Sequence, residues 1–170
     1  DLHSFPTRRS SDLLSCHIAG LPITAREASA ALALVQLATE PVSAVVGFTS
    51  GLVPLDLSPR QRLDDALRRI GNLPFGGTDC AQPMLHALKR RLEVDTFVVY
   101  TDNETWCGRI HPHQALVRYR RETGIPAKLV VVGMTSTGFS IADPDDAGML
   151  DVAGFDHAVP NLISEFSRGF

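Results

Sequence analysis

The segment Lys128-Leu129-Val130-Val131-Val132-Gly133-Met134 limits the possible folds more than any other part of the chain. An apolar run of strand length, rich in β-branched side chains, has no polar face to turn toward water. Such a strand has to be covered on both sides, as in a parallel sheet lying between helices. Thr96-Phe97-Val98-Val99-Tyr100-Thr101 reads the same way, as a strand buried on both faces. Between these strands, Ala115 to Glu122 reads as a helix ended by Gly124 and Pro126. A strand, a helix and a second strand in that order form a parallel crossover, because parallel neighbours cannot be joined by a tight turn.

The flanking sequence repeats the alternation. Thr24 precedes Glu27 by the three residues of a capping box, and the helix it opens runs through Leu37 and stops before Pro41. Val42 to Thr49 contains the short apolar run Ala44-Val45-Val46-Gly47-Phe48, and Gly51 to Pro59 is a loop or short edge ribbon. Ser58-Pro59 opens another helix, with Leu63, Ala66, Leu67 and Ile70 on one face. After the turn-rich stretch from Gly71 to Gly77, a helix from about Asp79 carries Met84, Leu85, Leu88 and Leu92. A short strand is expected to include Phe139 to Ala142, and another short piece to begin at Phe155. A closing helix starts at Pro160 and runs through Leu162, Ile163 and Phe166. The fold expected is α/β, a doubly wound, mostly parallel sheet with helices on both faces.

At 170 residues the chain suits one domain with a real core. Residues 1–13 have neither helical nor strand periodicity and resemble translated sequencing-adapter sequence. They are expected to be a non-native or disordered segment ahead of an incomplete domain spanning 14–170. With 44% hydrophobic and 21% charged residues the chain reads as globular. No apolar run approaches the ~18 residues that cross a bilayer, so no membrane partner is expected. A net charge of -3 argues against a whole-surface grip on nucleic acid. The basic runs Lys89-Arg90-Arg91 and Arg118-Tyr119-Arg120-Arg121 sit at expected helix C-termini, where cations suit the helix dipole. Cys16, Cys80 and Cys107 are too few and too scattered for a disulfide framework or a CxxC metal site. An odd count also suits a reducing cytoplasm, and a cytoplasmic location is expected.

Open α/β sheets hold ligands beyond the carboxyl ends of their strands. Two loops fall there, Gly76-Gly77-Thr78-Asp79 and Thr101-Asp102-Asn103-Glu104. A threonine hydroxyl and an aspartate carboxylate suit a hard cation such as Mg²⁺, which takes oxygen ligands and keeps several waters. On spacing alone these residues read equally well as caps, with Asp79 starting its helix and Asp102 the next short element. Other chemistry has less support. Neither GxxxxGK[ST] nor GxGxxG occurs. Cys80 near a helix start, with His86 further on, reads as a packed small hydrophobe before it reads as a nucleophile. His111-Pro112-His113 reads as loop residues, and Asp143-Pro144-Asp145-Asp146 as an acidic turn that also caps a helix.

A series of short motifs spreads over most of the chain: Gly76-Gly77-Thr78-Asp79-Cys80, Tyr100-Thr101-Asp102-Asn103-Glu104-Thr105 and Ile125-Pro126-Ala127-Lys128-Leu129. Gly133-Met134-Thr135-Ser136, Ile141-Ala142-Asp143-Pro144-Asp145-Asp146, Gly148-Met149-Leu150-Asp151 and Gly154-Phe155-Asp156 complete it. In this order they resemble the von Willebrand factor A domain that closes the Ro (TROVE-type) ribonucleoproteins, from Gly20 to Phe170. The resemblance implies a metal-ion-dependent adhesion site, in which an Asp-x-Ser-x-Ser loop after the first strand, a Thr and an Asp hold the cation. Thr78 and Asp102 match the second and third positions. Ser11-Asp12-Leu13-Leu14-Ser15 stands where the first loop should be and lacks its spacing, so no ligand is carried over there. The first central strand is expected to be missing as well. One hydroxyl and one carboxylate leave the rest of the shell to water, so weak Mg²⁺ binding follows.

The function this resemblance implies is that of a non-catalytic fragment of an RNA-binding Ro-type protein. The full-length parent would bind small non-coding or misfolded RNA, and no residue of this chain is singled out for RNA contact. The alternative is a metal-dependent protein-interaction module that captures a partner's carboxylate. An enzyme, such as a phosphohydrolase using Asp102, would need a second carboxylate at Asp-x-Asp spacing, where Glu104 stands instead. No catalysis is expected.

Overall fold

The computed structural model describes residues 17–18, 20–48, 51–72, 79–101, 108–135 and 141–169. The capping box forms as its spacing requires. The Thr24 N–H donates to Glu27 Oε2 at 2.7 Å, and the Glu27 N–H donates to Thr24 Oγ1 at 3.2 Å. Together they start helix α1, Ala25–Thr39. Strands β1 (Val45–Phe48) and β2 (Leu52–Leu55) pair antiparallel, with Val46 opposite Pro54. The ribbon expected after Gly51 is therefore a strand. Pro54 has no N–H to donate to a ladder, which suits a strand at a sheet edge. Helix α2 spans Leu63–Gly71, so Ser58 and Pro59 lie in the turn ahead of it. Helix α3 spans Gln82–Arg90 and begins later than Asp79.

The remaining strands are β3 (Thr96–Thr101), β4 (Lys128–Gly133) and β5 (Met149–Ala153), with helix α4 (Pro112–Thr123) between β3 and β4. Helix α5 (Val159–Arg168) closes the chain. The sheet order is β3-β4-β5, all parallel, with β4 in the centre. Both faces of β4 are covered. Leu129 and Val131 join Met84, Leu116 and Tyr119 beneath α3 and α4, while Val130 and Val132 join Ala28, Leu32 and Ile163 beneath α1 and α5. The face α1 buries is largely alanine, with Ala25, Ala28, Ala30 and Ala33 all buried. The molecule is doubly wound.

Three expectations need correction. Strand β3 is not buried on both faces: Phe97, Val99 and Thr101 are buried, but Thr96, Val98 and Tyr100 are only half-buried. It lies at the edge of its sheet and the hairpin forms a separate one, so no described strand covers its far side. The strand expected around Phe139 to Ala142 is absent at Ile141 and Ala142, which lie in a bend, and Phe139 is outside the described residues. The sheet takes Met149–Ala153 instead, a segment whose apolar run is broken by the exposed Asp151. Finally, Phe155 starts no strand.

A candidate metal centre at the strand ends

The carboxyl ends of the three parallel strands are tied level with one another. The Met134 N–H donates to the Thr101 carbonyl at 2.9 Å, and the Gly154 N–H donates to the Gly133 carbonyl at 2.8 Å. Thr101 is the one buried polar residue of the described core, 2% exposed. Asp102 follows it directly in sequence, and Thr78 directly precedes Asp79. Thr78 and Asp102 themselves lie outside the described residues, as do Gly76, Gly77, Asn103, Glu104 and residues 1–16.

The described ends of the two loops do meet. Asp79 Oδ1 accepts the Ala81 N–H at 3.1 Å, holding the turn that leads into α3. Gly108 runs at φ 141°, and a Cβ placed on it would fall 2.6 Å from that same Oδ1 and 2.8 Å from the carboxyl carbon. The loop ending at residue 78 and the loop starting at residue 102 therefore share a boundary at Asp79 and Gly108. Thr78 and Asp102 would supply oxygen donors only, which fits Mg²⁺ in kind and leaves most of its six positions to water or other groups. Among the described residues no cluster of three or more His, Cys, Asp or Glu side chains could hold a metal.

The weaker candidates resolve into structural roles. Cys80 is buried in the core beneath α3 while His86 is exposed, so the two form no nucleophile pair. His111 and His113 are not loop residues: His111 caps α4 in a box with Gln114, and Pro112 occupies the first turn. His111 Nδ1 accepts the His113 N–H at 3.4 Å, and the rings sit 4.3 Å apart. Burial, with the neighbouring His113 adding to it, holds His111 below the usual histidine range. The acidic turn caps no helix and leads into β5 instead.

Sequence reasoning missed what that turn does. Asp146 Oδ2 accepts from Arg120 Nη1 at 2.5 Å, its Oδ1 accepts the Gly148 N–H at 2.8 Å, and Arg120 Nε donates to the Ala127 carbonyl at 2.6 Å. A Cβ at Gly148 would collide with the Arg120 guanidinium, so glycine makes room for the latch. Burial works to raise the Asp146 pKa, but hydrogen bonds from Arg120 and Gly148 and the guanidinium charge pull it below the usual carboxylate range. The only hint in the sequence was helical spacing, which puts Arg120 one turn from the buried Leu116.

Comparison with known proteins adds a family. The family model described as the Ro60 vWA domain matches residues 9–167. The chain is 52% identical over 153 residues to a protein of Deinococcus radiodurans named RNA-binding protein RO60, covering 89% of this chain and 29% of that protein. It is 40% identical over 160 residues to a Caenorhabditis elegans protein of the same name, covering 94% of this chain and 25% of that one. The crystal structure of the Deinococcus radiodurans RO (RSR) protein superposes with a TM-score of 0.85 at 51% identity, over 92% of this chain and 32% of the other. The chain thus spans between a quarter and a third of the length of these relatives.

Proposed function

The chain belongs to the Ro60 vWA domain family, and from that premise we propose that it is the A-domain portion of a non-catalytic RNA-binding protein. Its parent would bind small non-coding or misfolded RNA in a reducing cytoplasm, with the A domain carrying a Mg²⁺ site at Thr78 and Asp102. The observation that carries the reading is the match over residues 9–167 to a family whose longer relatives are named RNA-binding proteins. The contact between Asp79 and Gly108 supports the metal site, because it joins the loops that bear the two ligands. No helix of the described residues is long and apolar enough to cross a membrane.

The test is a transplant. Residues 17–169 replace the matching segment of the Deinococcus relative, and binding of a structured small RNA is measured by gel shift, with Mg²⁺ binding followed by calorimetry. Retained RNA binding, together with Mg²⁺ binding that Asp102→Ala and Thr78→Ala each weaken about tenfold (one lost ligand costs on the order of 1.4 kcal/mol or more), is the expected result. Loss of RNA binding in a folded transplant would overturn the RNA reading. Mg²⁺-dependent capture of an acidic peptide in its place would assign a carboxylate-binding module.

A further inference from the structure

The connection from β2 to α2 is built as a cationic cleft. The Gln61 N–H donates to the Ser58 carbonyl at 2.9 Å, the Ser58 N–H donates to Gln61 Oε1 at 3.3 Å, and the Arg60 N–H donates to Ser58 Oγ at 3.3 Å. These bonds use the acceptor atoms of Ser58 and Gln61 and leave a hydroxyl and an amide NH₂ as donors. Helix α2 adds Asp65, Arg68 and Arg69, at the three- and four-residue spacing that shares one helix face. Together the six residues line a shallow, open cleft of about 470 Å³.

The charges in the cleft do not cancel. Arg68 pairs with Asp65 at 3.3 Å, and Arg69 pairs with Asp56 at 3.5 Å while donating to the Asp56 carbonyl at 2.6 Å. Arg60 is exposed and makes no ion pair among the described residues. The cleft is cationic on a chain whose net charge is -3. Its lining has no aromatic or aliphatic side chain, so it offers neither a stacking platform for a base nor a seat for an apolar ligand. The exposed Arg68–Asp65 pair contributes little, and Arg68 can turn to a phosphate at small cost. Planar guanidinium groups bind phosphate oxygens two at a time.

We propose that this cleft takes one phosphodiester unit of an RNA backbone, without reading its sequence. Arg60 makes the main contact, Arg68, Gln61 and Ser58 donate to the same phosphate, and Arg69 braces the turn through Asp56. The inference rests on the RNA-binding reading above and adds a site to it.

The experiment uses the full 170-residue chain and a fluorescein-labelled single-stranded oligouridylate, read by anisotropy across a salt series. The variants are R60E, R60K and, as a control of equal charge change on α4, R121E. R60E is expected to weaken binding about tenfold and to flatten the logarithmic salt slope by about 0.7, the value for one lost single-strand phosphate contact. R60K should keep the slope while binding more weakly, since an ammonium lacks the planar fork. R121E should stay close to the parent chain, and because Arg60 is exposed, thermal unfolding of R60E should be unchanged. Equal weakening by R60E and R121E, or no effect of R60E, would overturn the cleft and leave the RNA reading standing. No binding by the parent chain overturns the cleft too, while the transplant still judges the RNA reading separately. Complete displacement by submillimolar inorganic phosphate at matched ionic strength would make the occupant a small phosphate and overturn the RNA assignment.

Discussion

The backbone at Gly108 meets two demands at once: a φ of 141° and an Asp79 carboxylate so near that an added Cβ would fall 2.6 Å from it. A side chain there is strained by the backbone and blocked by the carboxylate, and strain of this kind costs on the order of 1–3 kcal/mol. Gly108→Ala is therefore expected to lower the unfolding temperature by a few degrees. If the metal reading holds, it should also weaken Mg²⁺ binding by forcing apart the loops of Thr78 and Asp102. Calorimetry on the variant checks both, and unchanged unfolding and Mg²⁺ binding would separate this contact from the metal site. Asp79 shows why single residues were hard to judge from sequence. Its carboxylate holds the turn ahead of α3 without capping the helix, whose N-cap is Ala81, and it also lies close to Gly108 at the end of the second loop. The first role follows from spacing, whereas the second needs two segments about thirty residues apart to be brought together by the sheet.

Helix α4 is tied to its surroundings by several side-chain hydrogen bonds. Tyr119, fully buried, donates from its hydroxyl to the Leu92 carbonyl at 2.7 Å and accepts the Val94 N–H at 2.9 Å, fixing the connection from α3 to β3. Its ring meets Phe97 edge-on at 5.1 Å. One residue on, Arg120 reaches Asp146 and ties α4 to the turn before β5. The β4-to-β5 connection has no helix among its described residues, so this latch does part of the work a crossover helix would do. Asp146→Asn removes the charge and should cost about 1–2 kcal/mol near neutral pH, since a charged partner strengthens the hydrogen bond but the site is partly exposed. The folded-state pKa of Asp146 is lowered, so its contribution is present above the unfolded value of about 3.9 and is lost as pH falls through the lower folded value. Thermal unfolding from pH 7 down to pH 2 should show the parent and Asp146→Asn curves converging below about pH 4. A constant gap between them would assign the latch to shape rather than charge. At the other end, Lys128 Nζ donates to the carbonyls of Phe166 at 2.5 Å and Ser167 at 3.3 Å, so β4 closes the last turn of α5. Ser164 Oγ donates to Glu40 at 2.6 Å and joins α5 to the end of α1.

For the whole molecule, the main feature is that the described strands form two separate sheets. Strand β3 presents one edge that pairs with no described strand. The residues of β1 and β2, apolar in sequence, have no fully buried member among those whose exposure is described. Apolar strands left half-covered, and ladder edges left unpaired, tend to pair with other chains. Residues 17–169 prepared alone are therefore expected to self-associate with rising concentration, as measured by light scattering after gel filtration. Adding, in the same chain, the residues that precede the matched segment in the Deinococcus relative tests whether a neighbouring segment covers that edge, in which case association should fall. A strictly monomeric, folded 17–169 across the micromolar range would mean that the edge is protected in some other way.

Strong local patterns were legible in the sequence alone. The unbroken apolar run at Leu129–Val132 specified a strand covered on both sides, and Thr24 and Glu27 specified the start of α1, because each signal sits within a few residues and depends on little else. The motif series also carried the family. Position in the sheet was not legible: β3 reads like β4 in sequence, yet one is an edge and the other the centre, since covering depends on neighbours far along the chain. Strand β5 was hidden because Asp151 interrupts its apolar pattern. That residue turns outward and its carboxylate accepts the Ala142 N–H at 3.2 Å, a role that exists only once the chain has returned on itself. The Arg120–Asp146 latch and the meeting of Asp79 with Gly108 belong to the same class. Local chemistry chose the elements, and the packing of distant segments decided which side chains came to face one another.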